Sequence, residues 1–513
     1  MLRGPLCRAL SLRHFPHLAP CAALSSRAHN QHVSQLIACC KQKDLKGIDA
    51  LESDFQTKAI QPHSCTLCLI HLSRTDYRGV ILEKLEDQVE EAMWTQLSLR
   101  DLASLCFDYK PTHEHFTENL KKVIEKRHKE VECDATLAKL FENIDPDVHA
   151  EIYRYLEAMA VQRSSEISAS TAYRIVCALG RNGQKSKPLL IVLADILTEN
   201  LSQLSTRDLS YLALSYAKLG FCSNNLMSGI SKELVDRKVE MPLPSLLSLF
   251  NSFSHLRWFQ KEAVDTLSAL IVKHPLEAYN WKSLVISCGR LTYLPPAFKE
   301  LLSSALPSFS ASLHPKQRLD VAFNLAVNDA LPVEEAKEIL SAEFVDKLMN
   351  ADDLDSAVLK LKLQSIGAVS DSRATGTELS AEEIEKMTPS LSNLIIKTME
   401  AMATPGKHFN ASVASNVGCI LAVETVIDEE GKIQPLSHLD KLEAGWRKVA
   451  IMPLTINDVI QPSLDPVGFH QLSYRLLTKQ GYTVLPILAR EFNRCTTVVS
   501  KVKFLEKKLK QLS

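Results

Sequence analysis

From about residue 30 to 365, apolar residues recur every three or four positions and β-branched runs are few. That spacing is the signature of amphipathic helices that each bury one stripe. The pattern also repeats. Ser98-Leu99-Arg100-Asp101-Leu102-Ala103-Ser104-Leu105 is echoed 107 residues later by Ser205-Thr206-Arg207-Asp208-Leu209-Ser210-Tyr211-Leu212, close to three units of about 36. Weaker copies in phase fall at Thr171 to Gly180, Leu246 to Leu256, Leu284 to Leu294 and Val321 to Leu331. Each copy leads into a polar or Gly/Pro-containing break and a second helix. Ser98…Asp101 and Ser205…Asp208 have the Ser-x-x-acid form of a helix start, where the hydroxyl accepts from a free backbone amide and the acid favours the positive end of the helix dipole. Pro242 and Pro244 precede a repeat helix, where proline is tolerated.

Ala213, Ser215, Ala217, Ser252 and Ser254 keep one helix face thin, so neighbouring helices can approach closely. A helix pair of this length cannot bury its own apolar face, and such pairs stack into an α-solenoid. The units lack tetratricopeptide landmarks.

Past Gly367 the pattern changes. Gly367 to Thr377 (GAVSDSRATGT) is nearly free of large apolar residues and reads as a linker or mobile loop. Ser380…Glu383 has the form of another helix start, and Leu394 to Ala403 is apolar enough to dock on something. Three β-type stretches follow: one within Ala414 to Ile427, then Lys448 to Leu454 (KVAIMPL) and Tyr482 to Leu488 (YTVLPIL). An amphipathic helix, His470 to Lys479, precedes the last of them and ends at Gly481, which can take the left-handed conformation. Glu491 to Asn493 read as a turn, and helical spacing resumes from Val498 to Leu512.

The closing stretch, LDPVGFHQLSYRLLTKQGYTVLPILAREFNRCTTVVSKVKFLEKKLKQLS, resembles the RAP domain, a C-terminal module of organellar RNA-binding proteins that include the FAST-kinase-domain family. The matching features are Leu476, Leu477 and Lys479, then Gly481-Tyr482, Val484, Pro486-Ile487, Glu491-Phe492 and Phe504-Leu505…Leu509. The family usually carries Trp where Phe492 stands, and the resemblance spans about a tenth of the chain. It implies a restriction-endonuclease-like α/β fold and a role in organellar RNA metabolism. Degenerate helical repeats ahead of a RAP module also resemble the layout of the FAST-kinase-domain family. The expected organisation is therefore mostly α: a mitochondrial transit peptide over 1–28, a helical-repeat array over 29–366, a linker and connecting helices over 367–410, and an α/β RAP-like domain over 411–513.

Composition bears on the address and on the partner. Before Asp44 there is no acid, while Arg3, Arg8, Arg13 and Arg27 sit among leucines and serines, as in a mitochondrial transit peptide. No apolar run reaches the roughly 18 residues needed to span a bilayer. The formal net charge is −1, and removal of the first 28 residues would bring it to −5. A mildly acidic chain can neutralise phosphates only through a local basic face. Thirteen cysteines, scattered singly without a secretory signal, read as reduced, mostly buried thiols.

Catalytic signatures are sparse. Nuclease chemistry on the implied fold needs an Asp on one core strand and Glu-x-Lys on the next to hold a metal that activates water. Lys448 to Leu454 and Tyr482 to Leu488 carry no carboxylate, and Asp440, Asp458, Asp465 and Glu491 lack that context. His63, Cys65, Cys68 and His71 have zinc-like spacing but lack a second spaced pair, so CTLCLIHL reads as a helix whose Cys and Leu residues face a core rather than as a metal site. No phosphate-binding loop, dinucleotide fingerprint, nucleophile elbow or kinase signature occurs.

Basic clusters remain. Lys121 to Lys129 is interleaved with Glu125 and reads as a solvated helix face. The sharper candidate is the C-terminal helix, where Arg494, Lys501, Lys503, Lys507, Lys508 and Lys510 oppose Glu506; Tyr474 and Tyr482 can stack on bases, although such aromatics more often close a small core. The expectation is a non-enzymatic, cofactor-free RNA-binding protein of the mitochondrial matrix, acting on rRNA or mRNA in processing, stability or ribosome biogenesis. The alternative is a structural or assembly subunit of a mitochondrial ribonucleoprotein such as the mitoribosome, held by mitoribosomal or RNA-granule proteins. Neither reading involves membrane insertion.

Overall fold

A computed structural model describes residues 31–57, 60–109, 114–237, 241–350, 356–372, 376–439 and 441–512. The transit peptide expected over 1–28 lies outside them, as does Asp440. The chain forms two compact units, divided between Leu156 and Glu157.

The first unit holds α1 (Gln31–Gln42), α2 (Leu45–Ala50), α3 (Glu52–Thr57), α4 (Pro62–Leu72), α5 (Val80–Ala92), α6 (Leu99–Asp108), α7 (Glu114–Arg127) and α8 (Asp134–Asn143), with α9 (Ala150–Gln162) crossing the division. Helices α1, α4, α6 and α8 pack in succession as one layer, and α3, α5 and α7 form a second. At the start of α6, Ser98 and Asp101 close a reciprocal capping box: the Asp101 amide donates to Ser98 Oγ at 3.2 Å, and the Ser98 amide to Asp101 Oδ2 at 3.4 Å.

The second unit continues the same plan through α10 (Ala169–Asn182), α11 (Lys187–Glu199), α12 (Thr206–Leu219), α13 (Asn224–Arg237), α14 (Leu243–Leu256), α15 (Lys261–Ile271), α16 (Ala278–Leu291), α17 (Pro296–Ala311) and α18 (Pro315–Val327). The even-numbered helices stack side by side as one layer, α10–α12–α14–α16–α18, termed inner, and the odd-numbered ones as a second, α11–α13–α15–α17, termed outer. The inner helices begin at residues 169, 206, 243, 278 and 315, so the repeat advances by 35 to 37 residues. Every in-phase copy within this unit falls on an inner helix or its cap, and those at Leu284 to Leu294 and Val321 to Leu331 run past the helix end.

Two local devices set that repeat. Ser205 and Asp208 rebuild the Ser98–Asp101 box at the start of α12. Each inner helix then ends on one residue in the left-handed region: Gly183, Gly220, Arg257, Thr292 and Asp329, with φ of 69°, 58°, 55°, 55° and 53°. Past each, an amide returns to the carbonyl five residues back, as Gln184 does to Leu179 at 3.1 Å and Trp258 to Phe253 at 2.8 Å. These bonds satisfy helix-end carbonyls and turn the chain towards the outer layer. Between inner helices, small residues allow close approach. A Cβ on Gly180 would lie 2.8 Å from Ser215 Cβ, and Ser283 and Ser287 both donate to Asn251 Oδ1, at 3.0 and 2.9 Å.

After α19 (Val333–Ile339) and α20 (Ala342–Met349), α21 (Ser356–Val369) packs on α18. It runs through Val369, so the first residues of the expected linker stay helical. Next come α22 (Ala381–Met387), opened by a Ser380–Glu383 capping box, and α23 (Ser390–Glu400). The terminal domain comprises β1 (Phe409–Ala414), β2 (Ile420–Ile427), β3 (Ile433–Gln434), β4 (Arg447–Leu454), α24 (Gly468–Lys479), β5 (Tyr482–Leu488), α25 (Ala489–Phe492) and α26 (Val498–Lys510). Where the sequence pattern reads one strand within Ala414 to Ile427, the chain forms a hairpin of β1 and β2. Where it reads a turn after β5, the chain forms the short helix α25.

The sheet order is β1-β2-β4-β5, with β3 also on β2. Strands β1, β2 and β4 are antiparallel, while β5 lies parallel to β4 across the α24 crossover, with Lys448 opposite Tyr482. Gly481, with φ of 85°, makes the turn from α24 into β5. On one face, α23, α25 and α26 bury Ile395, Phe492, Leu505 and Leu509 against Val423, Val449, Ile451 and Ile487. On the other, α24 joins α18 and α21 in one core with Cys419, Leu421, Ala450 and Met452. The terminal domain thus shares a hydrophobic core with the end of the array. Among the described residues, no helix is long and apolar enough to cross a membrane.

Candidate nucleic-acid interface

Helix α26 is held by Leu505 and Leu509, both buried, and begins with a Thr497–Ser500 capping box. Its period separates the basic side chains into two groups. Lys501 and Lys508 are half-buried: Lys501 Nζ sits 5.6 Å from the Phe492 ring centre, and Lys508 Nζ lies 5.4 Å from that of Phe504 and 3.0 Å from a Glu491 carboxylate oxygen. Lys503, Lys507 and Lys510, at i, i+4 and i+7, form an exposed stripe beside Glu506, with Arg494 exposed ahead of the helix. Lys507, Lys508 and Lys510 also complement the negative end of the helix dipole. The β2–β3 turn supports this end closely, since a Cβ on Gly431 would lie 2.6 Å from Lys510 Cα.

Tyr482 is not brought together with this stripe. It packs with the core on the α24 face of the sheet, opposite α26. Its hydroxyl donates to Glu424 Oε1 at 2.5 Å, and Lys448 Nζ lies 5.9 Å from its ring centre. Glu424, on β2, is 6% exposed and also accepts from Asn410 Nδ2 at 2.9 Å. A buried carboxylate needs such donors, because stripping its water otherwise costs several kcal/mol. In sequence, Glu424 sits in the apolar run ILAVETVI, where pattern marks a core strand and says nothing of the donors opposite.

Of the acids considered for nuclease chemistry, Asp458 and Glu491 have side-chain partners. Asp458 accepts from the Thr455 amide at 2.8 Å and the Thr455 hydroxyl at 2.7 Å, and lies 3.5 Å from His470 Nε2. Burial pushes its carboxyl up, but His470 and Thr455 outweigh that and hold it at about 2. Glu491 is the partner of Lys508. Asp465 serves the same loop through its backbone, accepting from the Ile460 amide at 2.7 Å.

The Cys-x2-Cys stretch lies within α4. Cys65 and Cys68 are buried, and Cys65 Sγ donates to Gln88 Oε1 at 3.2 Å. Burial pushes the Cys65 thiol up to about 12 and Cys68 higher still, away from the thiolate a metal requires. His63 pairs with Asp101 at 2.8 Å, tying α4 to the capping box of α6. Among the described residues, no three His, Cys, Asp or Glu side chains converge as a metal site would require.

The terminal domain is also fastened to the array. Arg475 of α24 donates to the Ala326 carbonyl at 2.9 Å and pairs with Asp329 at 2.7 Å, capping the end of α18. The loop between β4 and α24 pairs with the α14–α15 turn: the Gln461 amide donates to the Arg257 carbonyl at 2.7 Å, and the Phe259 amide to the Gln461 carbonyl at 2.9 Å.

No family model matches the chain. It is similar to FAST kinase domain-containing protein 4 from rat, 20% identical over 480 residues covering 86% of this chain and 76% of that protein. The mouse protein of that name is 20% identical, with 86% and 76% covered, and the human one 18%, with 84% and 73%. The likeness is low in identity and broad in extent, and it supports kinship with FAST-kinase-domain-like proteins. Coverage on this scale exceeds the array or the terminal domain taken alone.

Proposed function

We propose that this chain is a non-catalytic, RAP-type RNA-binding protein of the mitochondrial matrix, acting in organellar RNA processing, stability or ribosome biogenesis. The observation that carries the reading is the exposed stripe Lys503–Lys507–Lys510 with Arg494, on a helix anchored to a rigid sheet. Clustered cations on a rigid element suit phosphate contact, which needs position and charge rather than base-specific groups. The likeness to FAST kinase domain-containing protein 4 and the arginine-rich, acid-free start of the chain support the organellar setting. The non-catalytic part rests on the terminal-domain carboxylates: Glu424, Asp458 and Glu491 are all engaged by protein donors.

The test is binding of the purified chain to single-stranded RNA across a salt series. Affinity that falls steeply with salt supports the reading. Crosslinking in isolated mitochondria then identifies the bound transcript. Divalent-metal-dependent cleavage, abolished by Glu424→Gln, would sink the non-catalytic part.

A second reading, a subunit held in a ribonucleoprotein by protein contacts, is favoured by Val498 and Val499, which stand 62% and 65% exposed at the start of α26. It predicts salt-insensitive association with a complex and no affinity for naked RNA.

A further inference from the structure

The repeat register places Arg181, Lys218, His255 and Arg290 at the same point in four successive repeats. Each lies in the last turn of an inner helix, α10, α12, α14 or α16, two residues before the left-handed cap. All four are exposed. A cation there also complements the helix dipole. That does not account for the row, because outer helices α11, α15 and α17 have the same dipole and no basic residue in their last turn. Arg237, at the end of outer helix α13, is folded onto Glu233 at 2.6 Å and onto the Leu201 carbonyl at 3.0 Å.

The asymmetry extends to whole layers. The five inner helices carry eight Lys or Arg against two acids, while the four outer helices carry five against seven. Of the two inner acids, Asp208 closes the α12 capping box and Asp320 pairs with Lys362 at 2.5 Å. Inner Arg318 is likewise committed, to Glu335 and Glu338. A net charge near zero therefore conceals one basic layer and one acidic layer.

Within the row, Arg290 and His255 meet. Arg290 Nη1 lies 3.3 Å from His255 Nδ1, which accepts while neutral. Partial loss of hydration at the ring, with the cations Arg290 and Arg257 nearby, pushes the His255 pKa down. In the fifth repeat the register residue is Val327, and there Arg475 of α24 supplies a guanidinium, partly balanced by Asp329. A second row runs along the opposite ends of the inner helices: Arg207, Pro244, Tyr279 and Lys316, all exposed, with Tyr279 at 61%.

We infer that the inner layer of α10 to α16 is a track for single-stranded RNA, with Arg181, Lys218 and Arg290 as phosphate contacts one repeat apart. This deepens the RNA-binding reading and rests on it. Packed helices lie roughly 8–10 Å apart, so the four-residue row spans about 24–30 Å. A flexible strand can follow such a row, and exposed Tyr279 offers a face on which a base can stack. The acidic outer layer repels phosphate and confines the strand to the inner side.

The test compares three variants of the full chain with wild type, using a fluorescein-labelled 25-nucleotide RNA of mixed sequence across a salt series. Arg181→Gln/Lys218→Gln/Arg290→Gln removes three contacts. It should lower the slope of log affinity against log salt by about 2 and weaken binding at low salt by about tenfold or more. Lys187→Gln/Lys232→Gln/Lys299→Gln removes three exposed outer-layer cations and should leave the slope unchanged. Lys503→Gln/Lys507→Gln/Lys510→Gln reports the terminal stripe separately. Melting temperatures verify folding, and Arg181→Lys/Arg290→Lys should retain the slope. If wild type binds RNA and the inner triple variant keeps its slope while the α26 variant loses it, the track is overturned and the RNA-binding reading stands. If wild type does not bind RNA, the RNA-binding reading itself falls. If the inner triple variant loses polyglutamate binding but keeps RNA binding, the row serves an acidic protein partner and the track is overturned.

Discussion

The array and the terminal domain are built on opposite principles, and the seam between them shows the difference. In the array, each stabilising device is local and recurs every 35 to 37 residues: a cap at one helix end, a left-handed residue at the other, small side chains between neighbours. In the terminal domain, partners are distant in sequence, as Tyr482 is from Glu424 and Arg475 from Asp329. Local devices can fail singly at modest cost, because neighbouring repeats still carry theirs. A buried non-local contact has no copy elsewhere.

The sharpest way to break this contrast is at the seam. A Cβ on Gly468 would press into the backbone carbonyl of Gly289 and the Val327 side chain. Gly468→Val should destabilise the second unit by about 3 kcal/mol or more, since a backbone group cannot yield. Denaturant unfolding measures this, and a cost below 1 kcal/mol would show that α24 does not depend on that approach.

Next in size, Tyr482→Phe leaves the buried Glu424 with Asn410 as its remaining donor among the bonds described above. It should cost about 1–3 kcal/mol and leave RNA affinity unchanged. A loss of affinity without a loss of stability would instead assign Tyr482 to base stacking.

Smaller again is the pH dependence that Asp458 confers. Its folded pKa is depressed to about 2, so its contribution is present above the ordinary carboxylate range and is lost as pH falls through about 2. Because the side chain is about a third exposed, solvent limits the effect to about 1 kcal/mol. Asp458→Asn should flatten the acid limb of the stability curve between pH 4 and 2. An unchanged limb would remove Asp458 from the account. An effect of the same size lies in the array, where Ser205→Ala removes one capping hydroxyl and should cost about 1 kcal/mol in thermal or denaturant unfolding.

Most of the array and part of the terminal domain are legible in the sequence pattern. The capping boxes at Ser98, Ser205 and Ser380 stand where the Ser-x-x-acid spacing puts them, and Gly481 turns α24 into β5 as a left-handed glycine should. These features depend on neighbours within five residues, which sequence displays directly. The left-handed caps at Arg257 and Thr292 are not legible in sequence, since Arg and Thr avoid positive φ unless the repeat imposes it. Strand β1 was hidden too, because its short run FNASVA gains its order from pairing with β2.

The features written in the chain itself are therefore periodic and local: helix stripes, their ends, the strand of β5 and the basic composition of α26. Tertiary structure alone decided which helices share a layer, that the layers differ in charge, and that Tyr482 meets Glu424 on the face opposite α26. The physical reason is range. Caps and stripes are settled by hydrogen bonds and burial within a turn or two of chain. Charge segregation and buried pairing depend on which distant surfaces come together, and a sum over residues cancels what a fold separates.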